Sequence, residues 1–369
     1  MILKRFCISV TNVSFIFFLT LIMLSCNSSP VGFDELEREL TEPVSHEFYP
    51  QASDCYEKYI ANGLSSSLIL GQNREYESRV LLLFPLVDSS LDLVAEVRLV
   101  LYTKRQRDIT FNVHIVSEAW QENGATWVKT DSAGYWLMPG ANFSETSIGQ
   151  GQIAEESTIV ILSNIDSLVR RGEGIILIPQ DSGFGFFYSD ETGNKPKIVF
   201  KYPDQERSFQ ALADASIIDT VDLHLDRNDL WVGAGYAYHT YLKFNTDIIP
   251  EEATINNAEL IIRLSSTFLL TDTIEIGIHR LLEPYQEFLR PKFSSSISAK
   301  GRFINSDTII QMDLRNLVQF WTLNRDSNFG LIINGYPEYF EIFRIELKRE
   351  LTDRPLLKTG YILPPEGRF

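Results

Sequence analysis

Positive charge is in deficit in this 369-residue chain: 33 lysines and arginines face 49 aspartates and glutamates, a formal net charge of −16. A phosphate backbone demands clustered cations, so nucleic acid is excluded as a partner. Five histidines and three cysteines, widely scattered, exclude a rich transition-metal centre or a disulfide framework. No glycine-rich phosphate loop, nucleophile elbow or dinucleotide fingerprint occurs. Gly183-Phe-Gly-Phe-Phe187 reads instead as a turn entering a strand. The alternating long helices of βαβ units are also missing. What is abundant is apolar and aromatic: hydrophobic residues make up 44% of the chain, enough to bury a sizeable core and to exclude wholesale disorder. The 24 phenylalanines and 15 tyrosines lean towards β structure. The length predicts about two domains.

Residues 1–25 read as an address. Lys4 and Arg5 form a short positive segment, and an apolar run from Phe15 to Leu24 follows. It is shorter than the about 20 residues that span a bilayer. It ends at Met23-Leu24-Ser25-Cys26, which resembles the lipobox of bacterial lipoproteins, where a small residue precedes the cysteine that receives lipid. That resemblance implies export and an acyl anchor at Cys26, so that a lipid bilayer is a partner. An ordinary secretory signal peptide containing Cys26 is the alternative. Asn27 is not the aspartate that retains some lipoproteins in the inner membrane, which points to the outer membrane, on its periplasmic or surface face. With Cys26 lipidated, Cys55 has no intramolecular disulfide partner; a Cys26–Cys55 bridge is the rival in a soluble exported protein. Residues 26–43, with Ser28, Ser29, Pro30 and Gly32 before an acidic stretch, read as a tether.

From residue 44 onward, strand signals dominate. Short apolar or alternating segments lie at 79–84, 96–102, 109–116, 174–178 and 197–202, separated by turn-rich stretches. The pattern then recurs. Ala-Glu-Val-Arg-Leu-Val-Leu at 95–101 resembles Ala-Glu-Leu-Ile-Ile-Arg-Leu at 258–264, and 80–84 resembles 240–244. In 114–122 and 279–287, His, Glu, Gln and Glu recur in register, with Tyr285 in place of Trp120. Residues 195–202 resemble 354–361. Four matches in one order, at an offset of about 160 residues, mean two whole domains rather than a solenoid. Each repeat carries one short helical signal at the same place: Ser163 to Asp166 as a capping box before Leu168 and Val169, and Asp313 as a cap before Leu314, Leu317, Val318 and Trp321. The fold expected is all-β: two tandem jelly-roll-like antiparallel β-sandwich domains, each with one short helix, at 44–203 and 207–365.

The first repeat carries a recognisable constellation. Phe84-Pro85 ends a strand, and an Ala-Glu strand follows. Trp120-x-Glu122 precedes Thr126-Trp127, and Phe187-Tyr-Ser-Asp-Glu191 runs into Lys195-Pro196 and a closing strand. This resembles the DNRLRE domain family, whose members resemble carbohydrate-binding modules with a jelly-roll sandwich. The resemblance covers 44–202 best. The second repeat is a weaker copy, without a clear equivalent of Trp127 and with the Phe-Tyr-Ser-x-Glu stretch degraded around 343–351.

Sugar rings stack their C–H faces on flat aromatics. Tyr135 and Trp136 beside Gly134, and Trp231, Tyr236 and Tyr238 around Gly233 and Gly235, are the candidate glycan platform; strand alternation explains them comparably. Trp120, Glu122, Trp127, Tyr285 and Glu287 read as a structural motif because part of it is duplicated. Glu118 and Glu122, or Glu283 and Glu287, are paired carboxylates, but one pair per repeat suits a repeated hydrogen bond better than one active site. His114 and His279 match at strand ends, with no second ligand at metal spacing. Asp222, Asp226 and Asp229 are hard-oxygen ligands that could hold calcium but lack EF-hand spacing, and a solvated acidic strand and loop is the better reading; no other cofactor is expected. Cys55 reads as a core filler, not a nucleophile. The leading expectation is a lipid-anchored, non-catalytic binder of polysaccharide or cell-wall glycan. The alternative is a structural or adhesive envelope protein that binds proteins; a polysaccharide hydrolase or lyase comes third.

Overall fold

The computed structural model describes residues 43–85, 94–163, 173–221, 229–287, 289–339 and 341–364. The expected leader, the tether up to residue 42 and the helix after Ser163 lie outside them, as do Asp222 and Asp226. In chain order, β1 (Val44–Phe48) and β2 (Pro50–Tyr59) open the first repeat. β3 (Ser67–Gln72), β4 (Tyr76–Leu83), β5 (Glu96–Arg105), β6 (Thr110–Ile115), β7 (Gly149–Gln152), β8 (Ser157–Leu162), β9 (Ile175–Pro179), β10 (Gly183–Tyr188) and β11 (Lys197–Lys201) complete it. β12 (Glu206–Gln210) and β13 (Ala213–Thr220) open the second repeat. It continues through β14 (Leu230–Ala234), β15 (Tyr236–Phe244), β16 (Thr254–Leu269), β17 (Thr273–Arg280), β18 (Ala299–Ile304) and β19 (Ile309–Asp313). It ends with α1 (Arg315–Leu323), β20 (Leu331–Gly335), β21 (Phe343–Leu347) and β22 (Leu356–Ile362). The chain is all-β as expected, and every strand-to-strand ladder is antiparallel.

Each sandwich has two layers. In the first, β12-β11-β5-β10-β3, with β8 on β5, faces β13-β4-β9-β6-β7. The layers touch edge to edge where Gly71 meets Ser78. In the second, β1-β22-β16-β21-β14, with β19 on β16, faces β18-β17-β20-β15-β2. Alternation builds each layer: along β5, Val97, Leu99 and Leu101 point into the core while Glu96 and Arg98 point outward. β8 alternates as strictly in burial but not in chemistry, with Ile159 and Ile161 exposed between buried Thr158, Val160 and Leu162. The helix forms where the spacing predicts, burying Leu317, Val318 and Trp321. Asp313 sits one residue before the cap and accepts the Arg315 amide at 2.9 Å.

The sequence segments and the folded bodies do not coincide. β1 pairs with β22 and β2 pairs with β15, both in the second sandwich. Reciprocally, β12 pairs with β11 and β13 pairs with β4 in the first. The domains expected at 44–203 and 207–365 are repeats of sequence, each of which lends its first two strands to the other's sandwich. Packing holds the exchange in place. Phe48 and Cys55 lie against the second core, while Ala215 and Ile217 of β13 join a first-sandwich cluster containing Trp120, Trp127 and Trp136. The pairing of β12 with β11 is also the shortest closure available, a turn in which the Tyr202 amide donates to the Gln205 carbonyl.

Two separate cores result, one from Leu68 to Ala211 and one from Leu230 to Tyr361. Between them lies a third apolar cluster that includes Ile69, Tyr76, Phe184, Phe186, Ile218, Trp231, Tyr236, Tyr238 and Ile342. This cluster joins the two sandwiches.

Candidate functional site

Four of the five aromatic platform candidates are buried. Trp136 is 5% exposed, and its indole Nε1 donates to the Thr126 carbonyl at 2.8 Å. It seals one end of the first sandwich with Trp120, whose Nε1 donates to the Glu173 carbonyl at 3.0 Å, and with Trp127, which carries the Arg79 guanidinium 4.6 Å from its ring. Trp231, Tyr236 and Tyr238 belong to the cluster between the sandwiches. They sit on β14 and β15, whose residues are buried almost throughout, because one face packs on the second core and the other on the first sandwich. A strand covered on both faces carries large side chains on both. Only Tyr135 is open, at 67% exposure, with Lys129 Nζ 5.2 Å from its ring.

The motif residues divide. Glu122 Oε1 accepts the Asp214 amide at 2.9 Å, so this carboxylate holds β13 on the first sandwich. Its repeat partner Glu287 is exposed. There Tyr285 takes over, stacking on Tyr241 with 4.1 Å between ring centroids and donating its hydroxyl to Asp54 on β2 at 2.6 Å. His114 and His279 are true equivalents, each with Nδ1 2.8 Å from a serine carbonyl, Ser144 or Ser294. Cys55 lies between β15 and Trp231, and burial pushes its thiol up to about 12, which suits a core filler. Of the suggested calcium ligands, Asp229 alone lies among the described residues, half-buried before β14.

Two other features were not foreseen. The first is a cleft of about 670 Å³ beside the junction of the sandwiches. The end of β5 and the following turn supply Arg105, Gln106, Arg107 and Asp108; Asn73 and Ser182 add polar groups, and Phe184 and Phe186 form the floor. Leu270 reaches it from the second sandwich, where its carbonyl accepts from Arg105 Nη1. The Arg105 guanidinium also lies 5.7 Å from the Phe186 ring. Arg107 stands open at the cleft, while Arg105 is held by the Leu270 carbonyl and Asp108 sets a carboxylate beside them.

The second is a group of carboxylates: Glu122, Asp190 and Glu191 offer oxygens within 4.8 Å of one another. Fully buried Asp214 adjoins them, its Oδ2 accepting the Asp190 amide at 2.7 Å. Burial, reinforced by the Asp190 charge, pushes the Asp214 carboxyl up to about 9. Burial also raises Glu122 and Glu191 above the usual carboxylate range. This spacing is tighter than the about 5–9.5 Å that glycoside hydrolysis uses across a scissile bond. The signal for it was present in the repeat: Asp190 aligns with Arg349, an unusual reversal of charge.

Comparison with known proteins adds little. No family model matches the chain, and no curated protein matches it. Among solved structures, the N-terminal CBM22-1–CBM22-2 tandem domain of Paenibacillus barcinonensis Xyn10C aligns over 88% of this chain and 98% of that one, at 8% identity and a TM-score of 0.15. A likeness that low carries no weight for fold or ligand.

Proposed function

We propose that this protein binds a polysaccharide or cell-wall glycan without transforming it, and that the cleft at the junction of the sandwiches is where the polymer lies. The observation that carries this reading is the polar lining: the guanidiniums of Arg105 and Arg107, the carboxamides of Asn73 and Gln106, the Ser182 hydroxyl and the Asp108 carboxylate. Sugar hydroxyls pair with such donors and acceptors. Arg105 and Arg107 favour a polymer that bears carboxylate or sulfate groups. The resemblance of the first repeat to DNRLRE domains supports the same class of ligand.

The anchor belongs to the same proposal. Acylation at Cys26 would hold the sandwiches at the outer membrane while the cleft engages polymer. Among the described residues no helix is long and apolar enough to cross a membrane. Metabolic labelling with a palmitate analogue tests this directly: wild type takes label, and Cys26→Ala does not.

The binding test is an array of neutral and anionic polysaccharides probed with the full chain, alongside Arg107→Ala and Gln106→Ala. Both residues are exposed, so melting stays unchanged while binding falls about tenfold, the loss of one charge-assisted contact. No binding to any glycan by the wild type would refute the proposal. One observation favours the adhesive alternative: Tyr135, Leu137 and Met138 stand exposed together on one loop, as at a protein-contact surface.

A further inference from the structure

The carboxylate group at the end of the first sandwich draws on both repeats. Glu122 comes from the long connection after β6, and Asp190 and Glu191 follow β10. Asp214 lies on β13, the strand lent by the second repeat. Asp214 is 0% exposed. Its Oδ2 is taken by the Asp190 amide, but its Oδ1 is buried with no hydrogen-bond partner, and so is Oδ1 of Asp190. Buried oxygens left unpaired are costly, and ionised ones more so. Lys195 Nζ stands 4.0 Å from Asp190 Oδ2 and offsets only part of the charge that the group carries when ionised.

The second sandwich supplies an internal comparison. Asp214 pairs with Leu82 on β4, and Ser53 pairs with Leu242 on β15. Leu82 and Leu242 are repeat partners, so Ser53 stands where Asp214 stands. Counting back from Lys195-Pro196 and Arg354-Pro355, Arg349 stands where Asp190 stands, and Glu350 where Glu191 stands. The two places are bridged differently: the Arg349 side chain donates from Nη2 to Ser53 Oγ at 3.3 Å, whereas the Asp190 backbone amide donates to Asp214 Oδ2 at 2.7 Å. In the second copy a built-in guanidinium meets a hydroxyl. In the first, carboxylates stand at both positions, a place that an external cation suits in the way the guanidinium suits the second copy.

We infer that Glu122, Asp190 and Glu191 bind one divalent cation of the calcium type beside buried Asp214, and that this cation, held by the same Glu122 that accepts the Asp214 amide, clamps β13 to the first sandwich. An all-carboxylate oxygen set suits a hard cation and not zinc or copper. Calcium takes six to eight oxygens at about 2.3–2.6 Å, so its ligands lie up to about 5 Å apart, which accommodates the three oxygens of Glu122, Asp190 and Glu191 within 4.8 Å of one another. Water fills the remaining positions.

The test uses the full chain stripped with EGTA and dialysed against radioactive calcium chloride in 0.15 M sodium chloride, with melting followed in parallel. Wild type binds one calcium per chain, and saturating calcium raises its Tm by about 4 °C. Asp190→Arg copies the second sandwich and therefore folds; it loses binding at least tenfold and its Tm no longer responds to calcium. Glu191→Gln, at an exposed position, weakens binding about tenfold without harming the fold. Absence of saturable binding by wild type, or full binding retained by Asp190→Arg, would overturn the assignment. Tighter binding of magnesium chloride than of calcium chloride would overturn the calcium type.

Discussion

The Arg344 guanidinium donates to Glu75 at 3.1 Å, and this contact joins β21 of the second sandwich to the turn before β4 of the first. Arg344 is buried, and its guanidinium lies 4.8 Å from the Trp231 ring. Its stem and charge therefore hold the apolar cluster between the sandwiches. Glu75 is 37% exposed at its side chain, so solvent weakens the ion pair itself. Arg344→Ala should cost about 1–3 kcal/mol, mostly through lost packing and an unpaired Glu75. Urea denaturation reads this loss, and Glu75→Gln should cost less than half as much.

Trp136 and Tyr135 are sequence neighbours with opposite fates. Trp136→Ala removes a buried indole and its hydrogen bond to Thr126, and should cost about 3–5 kcal/mol. Tyr135→Ala should stay within about 0.5 kcal/mol of wild type. Melting curves separate the two; equal, small losses would show that Trp136 is not part of the seal.

Gly174 and Gly330 occupy matching places ahead of β9 and β20, with φ of +91° and +99°. A Cβ would come within 2.3 Å of the Leu82 carbonyl oxygen in one case and 2.6 Å of the Leu242 oxygen in the other. Alanine at either position combines a left-handed backbone with a backbone clash, and should destabilise by about 2 kcal/mol or more. Gly193→Ala, where nothing lies within 4 Å of the added carbon, is the control and should be near neutral.

Glu338 governs acid sensitivity at the second sandwich. Burial alone would raise its carboxyl. The His239 ring, whose Nε2 is 2.5 Å away, together with Lys58 at 3.8 Å and the Asn334 amide, outweighs burial and holds it below the ordinary 4.5. A carboxyl depressed in the folded state binds its proton more readily once unfolded. Its stabilisation is therefore fully present above about pH 5.5 and is lost as pH falls through 4.5 towards the folded value. The difference in Tm between wild type and Glu338→Gln should be large at pH 7 and shrink between pH 5 and pH 3. A difference that does not change with pH would contradict this.

The repeat, the strand content and the second helix were legible in the residues because each rests on local periodicity: alternation in 96–102, and apolar residues at 314, 317, 318 and 321. What periodicity does not encode is which body a strand joins. β2 and β13 carry side chains at the same register, so either could dock on β4 or on β15, and only chain connection and packing decide. The same blindness applied to Trp231, Tyr236 and Tyr238: an aromatic against a neighbouring sandwich and one facing water look alike in sequence. The carboxylate group was hidden differently. Its members come from positions 122, 190, 191 and 214, which meet only because the exchange brings β13 across.

That exchange is most directly tested by a cross-link. Cys55 on β2 is the register partner of Thr240 on β15, and both side chains reach the Trp231 carbonyl, at 3.6 and 2.7 Å. Val80 is the position on β4 that β2 would face if each repeat kept its own strand, since Ser216 of β13 now occupies that place. Under mild oxidation, monomeric Thr240→Cys should form a disulfide with Cys55, visible by peptide mass mapping, and Val80→Cys should not. A cross-link at Val80→Cys with none at Thr240→Cys would show that the repeats do not trade strands.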